Sequence, residues 1–449
     1  MVETESQNIE EILKHQIAAQ NIKKICVSLS GGVDSIVLLF ALQQLLNETF
    51  AIRAIHINHN LAKDSQDWAD FCKRTCDRIQ IQIDIHSIKV KTKEGFGIEA
   101  AARKARYQKL QMSIQEGEWL MTAHHQEDQL ETILLRMARG TGIEGLQGIQ
   151  KQFNFGKGKI LRPLLDVSKS EVLGYARKKN LDWVEDASNQ ETYFDRNFLR
   201  MNVIPKLKER WPAFSSSVSR LSNISNQTST LLKELAQQDL GSNYPIKNLD
   251  IDILKNKSNG RVINIIRFLI LKNEMSVPSM KVLNSGVSIL LNPKSVNPTM
   301  VWNNYCIKRY VDKLYFLKLS ELQPNQSNKL MHWSIDEPLI LDENGSSLAA
   351  IMAIGQGLSL KKCNKNLDVQ FRKGGESIRP VGHKITKKLK KLFQEDHILP
   401  WTRDKIPLLY KKNELIGVGD LWFNQNYIAS EEEDGFLVNW NRNISIKHN

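Results

Sequence analysis

The sequence predicts an α/β protein: a doubly wound, Rossmann-like parallel sheet, then a linker helix, a small α+β domain and a β-rich C-terminal domain. Two observations in the first half predict the parallel sheet. Apolar, β-branched runs alternate there with stretches of helical periodicity, and a glycine-rich segment joins the first run to an apolar helix. Further on, the sequence becomes rich in Ser, Asn and Gln and then changes to short strand-like runs, which predicts the later domains.

The strands expected in the first domain lie at residues 24–29, 51–58, 79–90, 119–123 and 159–161. Between them the apolar residues recur with helical spacing, as the crossover helices of a parallel sheet require. After the last of these strands, Ser168 and Glu171 have the spacing of a capping box at the start of another helix. The resulting domain boundaries are 1–213, 214–240 for the linker helix, 241–325 and 335–442.

Composition limits the classes of partner and compartment. The 449 residues carry a formal net charge of +13, which points to a polyanionic partner. We favour nucleic acid over a membrane, because the longest strongly apolar run, residues 36–42, is far shorter than the roughly 20 residues that span a bilayer. An acidic, polar N-terminus and five scattered cysteines predict a cytoplasmic protein without an export signal or a disulfide framework.

A glycine-rich loop follows the first strand and has the features of a phosphate-binding site. Gly31 and Gly32 allow the backbone to approach a ligand closely, and the next helix offers its positive N-terminus. Asp34 would repel phosphate unless a metal ion lay between them, which implies Mg²⁺. The expected nucleotide-binding residues are Ser30, Gly31, Gly32, Val33, Asp34 and Ser35.

Other interpretations of this loop are weaker. It lacks the Lys-Ser/Thr ending of a P-loop NTPase and the GxGxxG of a dinucleotide-binding fold. The remaining alternative is a tight turn followed by a helix cap, with no ligand. The whole pattern SGGxDS, placed directly after a strand, favours the phosphate-binding interpretation.

Several segments resemble one family. SGGxDS resembles the pyrophosphate-binding loop (PP-loop) of ATP pyrophosphatases, and residues 121–149, MTAHHQEDQLETILLRMARGTGIEGLQGI, resemble a signature of tRNA(Ile)-lysidine synthetases. Residues 99–107 (EAAARKARY), 186–200 (DASNQETYFDRNFLR) and 371–422 are similar to further segments of that family. Two positions depart from its pattern: Glu127 replaces the first aspartate of HHxDDQ, and Phe198 stands where isoleucine or a similar residue is usual.

The resemblance implies an ATP-dependent ligase that forms a C–N bond. Members of the family join free L-lysine to carbon two of the wobble cytidine of tRNA(Ile) with a CAU anticodon. The reaction passes through an adenylated cytidine and releases AMP and pyrophosphate. The resemblance therefore implies ATP and Mg²⁺ as cofactors, tRNA(Ile) and lysine as partners, and a homodimer as one possible assembly.

The candidate catalytic residues are Asp34, Asp128, His125 and Arg196, with Asp34 and Asp128 as candidate metal ligands. Asp128 and Glu131 lie three residues apart on an expected helix face, and His124 and His125 precede that helix at a strand end, where α/β sites gather. We interpret Asp128 as a base or metal partner, and His125 as a phosphate contact or a group that positions the base. The alternative is a capped helix with satisfied histidines and solvated acids.

Arginines are strong candidates for phosphate contacts because the guanidinium fork matches phosphate geometry. Near the C-terminus, ITKKLKKLFQ predicts a basic helix with Leu389, Leu392 and Phe393 on one face, and we favour tRNA backbone contacts over a solvated lysine face. The candidate substrate- and tRNA-binding residues are Arg106, Glu131, Arg139, Asn197, Arg200, Arg379, Lys387, Lys388, Lys390 and Lys391.

Two other functions stay open from the sequence. A PP-loop tRNA thiolation enzyme shares the ATP-activating loop but needs a sulfur carrier. Only Cys72 and Cys76 are close in sequence, and the absence of CxxC disfavours this alternative. The third hypothesis, a non-catalytic RNA-binding protein, is disfavoured by the intact SGGxDS loop.

Overall fold

The computed structural model describes residues 9–45, 50–58, 64–88, 98–185, 193–292, 297–323, 330–342, 345–442 and 446–447. The chain divides into two compact units, Met1–Leu232 and Lys233–Asn449. This division falls within one long helix, Phe214–Leu240, so a helix is present where the linker helix was predicted. The predicted domain boundaries themselves stay predictions.

The first unit alternates strands and helices. Its strands are β1 (Lys24–Ser28), β2 (Ala51–Asn58), β3 (Gln82–Ser87), β4 (Trp119–Met121), β5 (Gln152–Phe155) and β6 (Gly158–Leu161). Its helices are α1 (Ile9–Ala19), α2 (Val33–Gln44), α3 (Ser65–Arg78), α4 (Ile98–Ser113), α5 (Gln126–Ala138), α6 (Ile143–Leu146), α7 (Lys169–Lys178), α8 (Asp195–Phe198), α9 (Ile204–Arg210) and α10 (Phe214–Leu240), which continues into the second unit.

These strands form one six-stranded sheet in the order β3-β2-β1-β4-β6-β5. β1 pairs in parallel with both β2 and β4, while β2 pairs in parallel with β3 and β4 with β6. The predicted doubly wound α/β class is thereby confirmed. The strand order reverses between β1 and β4, and ligands of such sheets bind where the carboxyl ends of these strands diverge.

The sheet is not entirely parallel, and here the sequence-based expectation was incomplete. β5 pairs antiparallel with β6 through a turn at Gly156, whose φ is +58°. A parallel connection needs about a dozen residues or more, whereas the short connection between β5 and β6 permits only a hairpin. The run QFNF is short and half polar, so it did not stand out as a strand.

The sheet is buried by helices on both faces. Ile25 and Val27 of β1 pack into one hydrophobic cluster, and Cys26 between them packs into another, because successive strand side chains point to opposite faces. Full burial of an aliphatic side chain of this size contributes about 1.5–3 kcal/mol. No helix in the part of the chain that the structure describes combines the length and apolar character needed to cross a membrane.

The second unit has an α+β part followed by a β-rich part, as predicted. The α+β part comprises β7 (Asn248–Asp250), α11 (Asn259–Lys272), α12 (Met280–Leu291), β8 (Thr299–Trp302), β9 (Tyr305–Tyr310) and β10 (Lys313–Lys318), with its strands in the order β7-β10-β9-β8. Residues of α11 and α12 pack against this sheet in one hydrophobic cluster.

The β-rich part contains two larger sheets and a two-stranded ribbon. Its elements are β11 (Met331–Ser334), β12 (Leu339–Ile340), β13 (Ser347–Ile354), β14 (Leu358–Ser359), α13 (Leu360–Cys363), β15 (Asn366–Gln370), β16 (Ser377–Ile378), β17 (Lys387–Lys388), α14 (Leu389–Glu395), β18 (Leu408–Lys411), β19 (Glu414–Val418), β20 (Trp422–Phe423) and β21 (Asp434–Asn441). The sheet orders are β11-β15-β18-β19-β20, β12-β13-β21-β14 and β16-β17. One hydrophobic cluster holds side chains from most of these strands.

The basic helix predicted near residue 387 is shorter than expected. Lys387 and Lys388 form β17, which pairs antiparallel with β16, and helix α14 begins only at Leu389. Leu389, Leu392 and Phe393 are buried as predicted. The placement of Lys387 and Lys388 on the helix was wrong, because pairing with a strand ten residues upstream outweighs the local helical pattern.

Candidate active site

The glycine-rich loop lies between β1 and α2, at the switch point of the sheet. The Ser35 hydroxyl organises it: the Ser30 N–H donates to Ser35 Oγ at 3.1 Å, and Ser35 Oγ donates to the Gly32 carbonyl at 2.9 Å. Gly31 has φ of +87°, and a Cβ there would lie 3.4 Å from Cys72 Sγ. The Ser35 hydroxyl therefore fixes the loop, and the positive φ of residue 31 requires glycine there.

Helix α2 begins directly after this loop. Its N-cap residue is Gly32, which has no side chain to cap the first-turn N–H groups, so they remain suited to binding an anion. The Val33 side chain is buried in the core and can offer only its backbone to a ligand. Asp34 follows in the first turn, with a partly exposed carboxylate.

The second part of the site follows β4. His125 is buried, and its Nε2 lies 3.8 Å from Asp34 Oδ1 and 3.6 Å from Asp128 Oδ2, while its Nδ1 lies 3.3 Å from Glu127 Oε2. Burial acts to lower the pKa of His125, but the three carboxylates together outweigh burial and raise it. The imidazole thus joins the glycine-rich loop to the start of α5.

The acids on α5 are held in their charged form. Burial acts to raise the pKa of Glu127, but contacts with His125, the Lys208 ammonium and the Lys169 backbone N–H lower it to about 2. The positive charges of His125 and Arg196 likewise lower the pKa of Asp128 against the effect of burial. Both groups are therefore carboxylates at neutral pH.

Glu131 has no exposed side-chain surface and lies beneath two arginines. Its carboxylate accepts from Arg196 Nε at 2.6 Å and from Arg200 Nε at 2.7 Å and Nη2 at 3.0 Å. Arg196 Nη2 also reaches Asp128 Oδ1 at 3.2 Å. This geometry gives Glu131 the role of positioning the guanidinium groups, and it leaves no carboxylate surface for a substrate.

A change of helical geometry separates the two arginines. Arg196 lies on α8, whereas Arg200 lies on the π-helical segment Leu199–Val203 that connects α8 to α9. Both nevertheless reach Glu131. π-Helical turns occur frequently at functional sites.

Two lysines that the sequence analysis did not select complete the charged cluster. Lys169 Nζ lies 2.6 Å from Asp34 Oδ1, and the Lys169 backbone N–H donates to Glu127 Oε2 at 2.8 Å. Lys208 Nζ lies 2.9 Å from Glu127 Oε1. The sequence did contain a signal for Lys169: a lysine in the first turn of a helix opposes the usual preference for acids there.

Glu127 is the position at which the sequence departs from the HHxDDQ pattern. Its carboxylate contacts the start of α7 through Lys169 and contacts α9 through Lys208. The longer side chain of glutamate therefore links α5 to two other helices. This residue is more closely tied to its surroundings than the sequence analysis expected.

The other predicted residues of the first unit have different surroundings. Arg106 is half-buried, its Nε has no hydrogen-bond partner among the described residues, and burial lowers its pKa. Asn197 is buried on α8. Arg139 lies 3.2 Å from Asp195, with both side chains 72% exposed, so this pair is a surface contact. Of the matched segment 186–200, residues 186–192 lie outside the described residues.

The predicted basic residues of the C-terminal part belong to the second unit. Lys388, Lys390 and Lys391 are exposed, whereas Lys387 Nζ lies 2.9 Å from Glu395 Oε2. Arg379 is exposed, and its Nε donates to the His383 carbonyl at 3.3 Å. These residues therefore form a basic surface that includes one internal ion pair.

The donor set at the loop suits a hard cation that is held partly by its substrate. No group of three or more His, Cys, Asp or Glu residues is arranged for metal binding within the described ranges. Asp34 and Asp128, however, both approach His125 Nε2, so their carboxylates converge. Mg²⁺ is usually bound by one or two carboxylates together with substrate phosphates. Asp34 and Asp128 fit this environment.

The fold and this loop define the class: the chain contains a PP-loop ATP-binding domain. The family model described as the PP-loop domain matches residues 2–207. A second model, described as the TilS substrate C-terminal domain, matches residues 367–440. The two matches fall in the first unit and in the β-rich part of the second unit, respectively.

Full-length relatives then give the family. A tRNA(Ile)-lysidine synthase of Coxiella burnetii is 35% identical over 431 residues, or 96% of each chain. The same identity extends over 444 residues of the Vibrio atlanticus enzyme (93% of this chain, 96% of the relative) and 456 residues of the Buchnera aphidicola enzyme (98% and 99%). The chain belongs to the tRNA(Ile)-lysidine synthase family.

Proposed function

We propose that the protein ligates free L-lysine to carbon two of the wobble cytidine of tRNA(Ile) with a CAU anticodon, consuming ATP. The observation that carries this proposal is the convergence of the PP-loop with His125, Asp128 and the Glu131-anchored arginines at one edge of the sheet. This edge combines an anion-binding loop with ionised acids. Family membership over nearly the full chain supplies the substrates.

The first step activates the cytidine. Its carbonyl oxygen on carbon two attacks the α-phosphate of ATP, an O–P bond forms, and the bond from the α-phosphate to the departing pyrophosphate breaks. The loop N–H groups and the N-terminus of α2 stabilise the negative charge that builds up. Mg²⁺, when bound, would neutralise phosphate charge there, and Asp34 and Asp128 are the residues that would hold it.

The second step adds lysine. The amine attacks carbon two, the C–O bond to AMP breaks, and the nitrogen loses its proton. At pH 7 only roughly one lysine amine in 2,500 is neutral, so a proton acceptor or a desolvated pocket is needed. Asp128 is ionised and contacts Arg196. We assign it either the role of this base or that of metal partner, with His125 as the group that positions it.

Asp128→Asn separates these two roles. If Asp128 holds the metal ion, this variant should slow formation of the adenylated tRNA at limiting Mg²⁺, and high Mg²⁺ should partly restore it. If Asp128 is the base, adenylation should proceed and only lysine transfer should slow. Rapid-quench measurement of the two steps distinguishes them, and a variant with both steps at the normal rate would remove Asp128 from the catalytic residues.

Arginines and lysines would hold the RNA. We assign Arg106, Arg139, Arg196, Arg200 and Asn197 to substrate phosphates in the first unit. The exposed basic surface of the second unit, with Arg379, Lys387, Lys388, Lys390 and Lys391, would contact the tRNA backbone. Such contacts position the RNA and do not read its sequence.

Two features of the proposal concern compartment and assembly. All five cysteines are free and buried, which agrees with a reducing, cytoplasmic compartment. Burial raises the pKa of Cys72 and Cys76 to about 12, so neither favours the thiolate that a sulfur carrier requires.

The homodimer stays a prediction, which light scattering of the purified protein tests.

The test is lysine incorporation. Purified protein is incubated with ATP, Mg²⁺, radiolabelled lysine and either tRNA(Ile) with the CAU anticodon or the methionine tRNA with the same anticodon. We expect label only in tRNA(Ile), with stoichiometric release of AMP, and none with Asp34→Ala. ATP cleavage without label would exclude lysine as the nucleophile, and absence of any ATP turnover would favour a non-catalytic RNA-binding protein.

A further inference from the structure

Lys169 connects the start of α7 to the glycine-rich loop. Its backbone N–H is fixed by Glu127 at 2.8 Å, and its ammonium reaches Asp34 at 2.6 Å across 135 positions of sequence. About one third of each of the two side chains is exposed. The Lys169 backbone is therefore held in place by Glu127, while its ammonium lies beside Asp34, the residue that follows the glycine-rich loop.

The position is electrostatically unusual. A cation in the first turn of a helix faces the positive end of the helix dipole, so the sequence context of α7 does not favour it. Glu171 lies in the same first turn, but the ion pair of the Lys169 ammonium is with Asp34, outside the helix. A partly exposed ion pair contributes little to stability, which leaves the placement without an adequate structural explanation.

The chemistry of the loop supplies a better explanation. A triphosphate approaching the N-terminus of α2 meets the Asp34 carboxylate, whose charge repels it. In this structure the Lys169 ammonium balances that charge. A cation that takes Asp34 as its ligand would release the ammonium, and a compact ammonium on a flexible stem can move to a nearby phosphate oxygen.

We propose that Lys169 is a phosphate-binding residue of the ATP site that pairs with Asp34 in the free protein and contacts the β- or γ-phosphate when ATP and Mg²⁺ bind. Its charge then also stabilises the pyrophosphate as it departs. No covalent bond to Lys169 forms or breaks when its ammonium moves from Asp34 to the phosphate. The inference rests on the proposed ATP-dependent function, because that function supplies the triphosphate.

The test compares Lys169→Met, which keeps most of the stem, with Lys169→Arg, which keeps the charge. Inorganic pyrophosphate is used as the probe in the full-length protein, together with the KM for ATP. We expect Lys169→Met to weaken inhibition by pyrophosphate and to raise the KM for ATP by about tenfold or more, because one charge-assisted hydrogen bond to phosphate is removed. Lys169→Arg should retain most of the pyrophosphate inhibition and a KM for ATP close to that of the unaltered protein.

A second readout excludes a purely structural role. Because Lys169 competes with the metal for Asp34, Lys169→Met should reach half-maximal ATP cleavage at the same or a lower Mg²⁺ concentration than the unaltered protein. The matched control is Lys151→Met, which removes an ion pair of 2.8 Å with Asp166 in the same unit. It should leave pyrophosphate inhibition, the KM for ATP and the Mg²⁺ requirement unchanged.

Each outcome decides for or against the proposal. Pyrophosphate inhibition and KM for ATP that are the same in Lys169→Met and in the unaltered protein would overturn it and leave Lys169 as a counter-charge for Asp34. If Lys169→Met fails to fold, unchanged pyrophosphate inhibition in Lys169→Gln has the same meaning. ATP cleavage without lysine transfer in the unaltered protein would defeat the proposed function alone, since the phosphate measurements do not use lysine.

Discussion

The two acids Asp128 and Glu131 on helix α5 have different surroundings, which their spacing in the sequence does not reveal. Asp128 and Glu131 are neighbours on one helix face, and the sequence analysis assigns Asp128 to catalysis or metal binding and Glu131 to substrate binding. Glu131 is fully buried and holds Arg196 and Arg200, whereas Asp128 lies between Arg196 and His125. Glu131 is enclosed by the two arginines with which it is paired, as a buried carboxylate requires, whereas Asp128 keeps a small exposed fraction, which our proposal for Asp128 needs.

Gly31 gives a prediction for the loop. Gly31→Ala should cost about 1–2 kcal/mol, because a side chain is strained at φ of +87°, and it should weaken ATP binding by about tenfold or more by distorting the loop. Thermal melting and equilibrium ATP binding measure the two effects.

Gly117→Ala is the matched control for Gly31→Ala. Gly117 has φ of +72° and no neighbouring atom within 4 Å of an added Cβ, so it carries the same backbone strain away from the loop. It should lower the melting temperature similarly and leave ATP binding intact. Equal loss of ATP binding in the two variants would contradict a specific role of Gly31.

The sheet of the first unit is tied together at its amino-terminal half, away from the loop. Arg53 on β2 contacts Glu118 at 2.7 Å, just before β4, and Asp84 on β3 at 2.6 Å. Arg53 and Glu118 are almost completely buried. This cluster connects three strands and leaves their carboxyl ends free for the site.

Arg53→Met should destabilise the sheet by about 3 kcal/mol, because it leaves the Glu118 carboxylate buried without its cation. Native-state hydrogen exchange of the β1 and β2 amides measures this free energy of opening. The control is Arg78→Met, which removes an exposed ion pair with Asp182 at 3.6 Å. This variant should change the free energy of opening by less than about 1 kcal/mol. ATP binding by the folded Arg53→Met protein should remain normal; its loss would mean that the cluster also shapes the loop.

The charge of the complete chain bears on the choice of partner. A net charge of +13 favours a polyanion, and family membership identifies that partner class as tRNA. Some individual cations are balanced by a neighbouring acid and add nothing to this excess, as in the pairs of Lys169 with Asp34 and Lys387 with Glu395. Net charge therefore predicts the class of ligand, whereas exposed and unpaired cations determine where it binds.

Lys390 and Lys391 test this distinction. The double variant Lys390→Ala, Lys391→Ala should lower the slope of log affinity for tRNA against log salt concentration by about one for each phosphate that the lysines no longer neutralise. The double variant to arginine keeps both charges and should preserve the slope. Titrations at several salt concentrations measure it, and an unchanged slope in the alanine variant would remove α14 from the RNA surface.

The sequence by itself determined the alternation of strands and helices, the glycine-rich loop and the family, because these depend on neighbouring residues. It did not determine β5 or β17, whose strand partners decide their structure, nor the burial of Glu131. It also missed Lys169, whose partner Asp34 lies 135 residues away. Only the tertiary structure decides such contacts, because the order of strands in the sheet selects which helix starts face the same ligand.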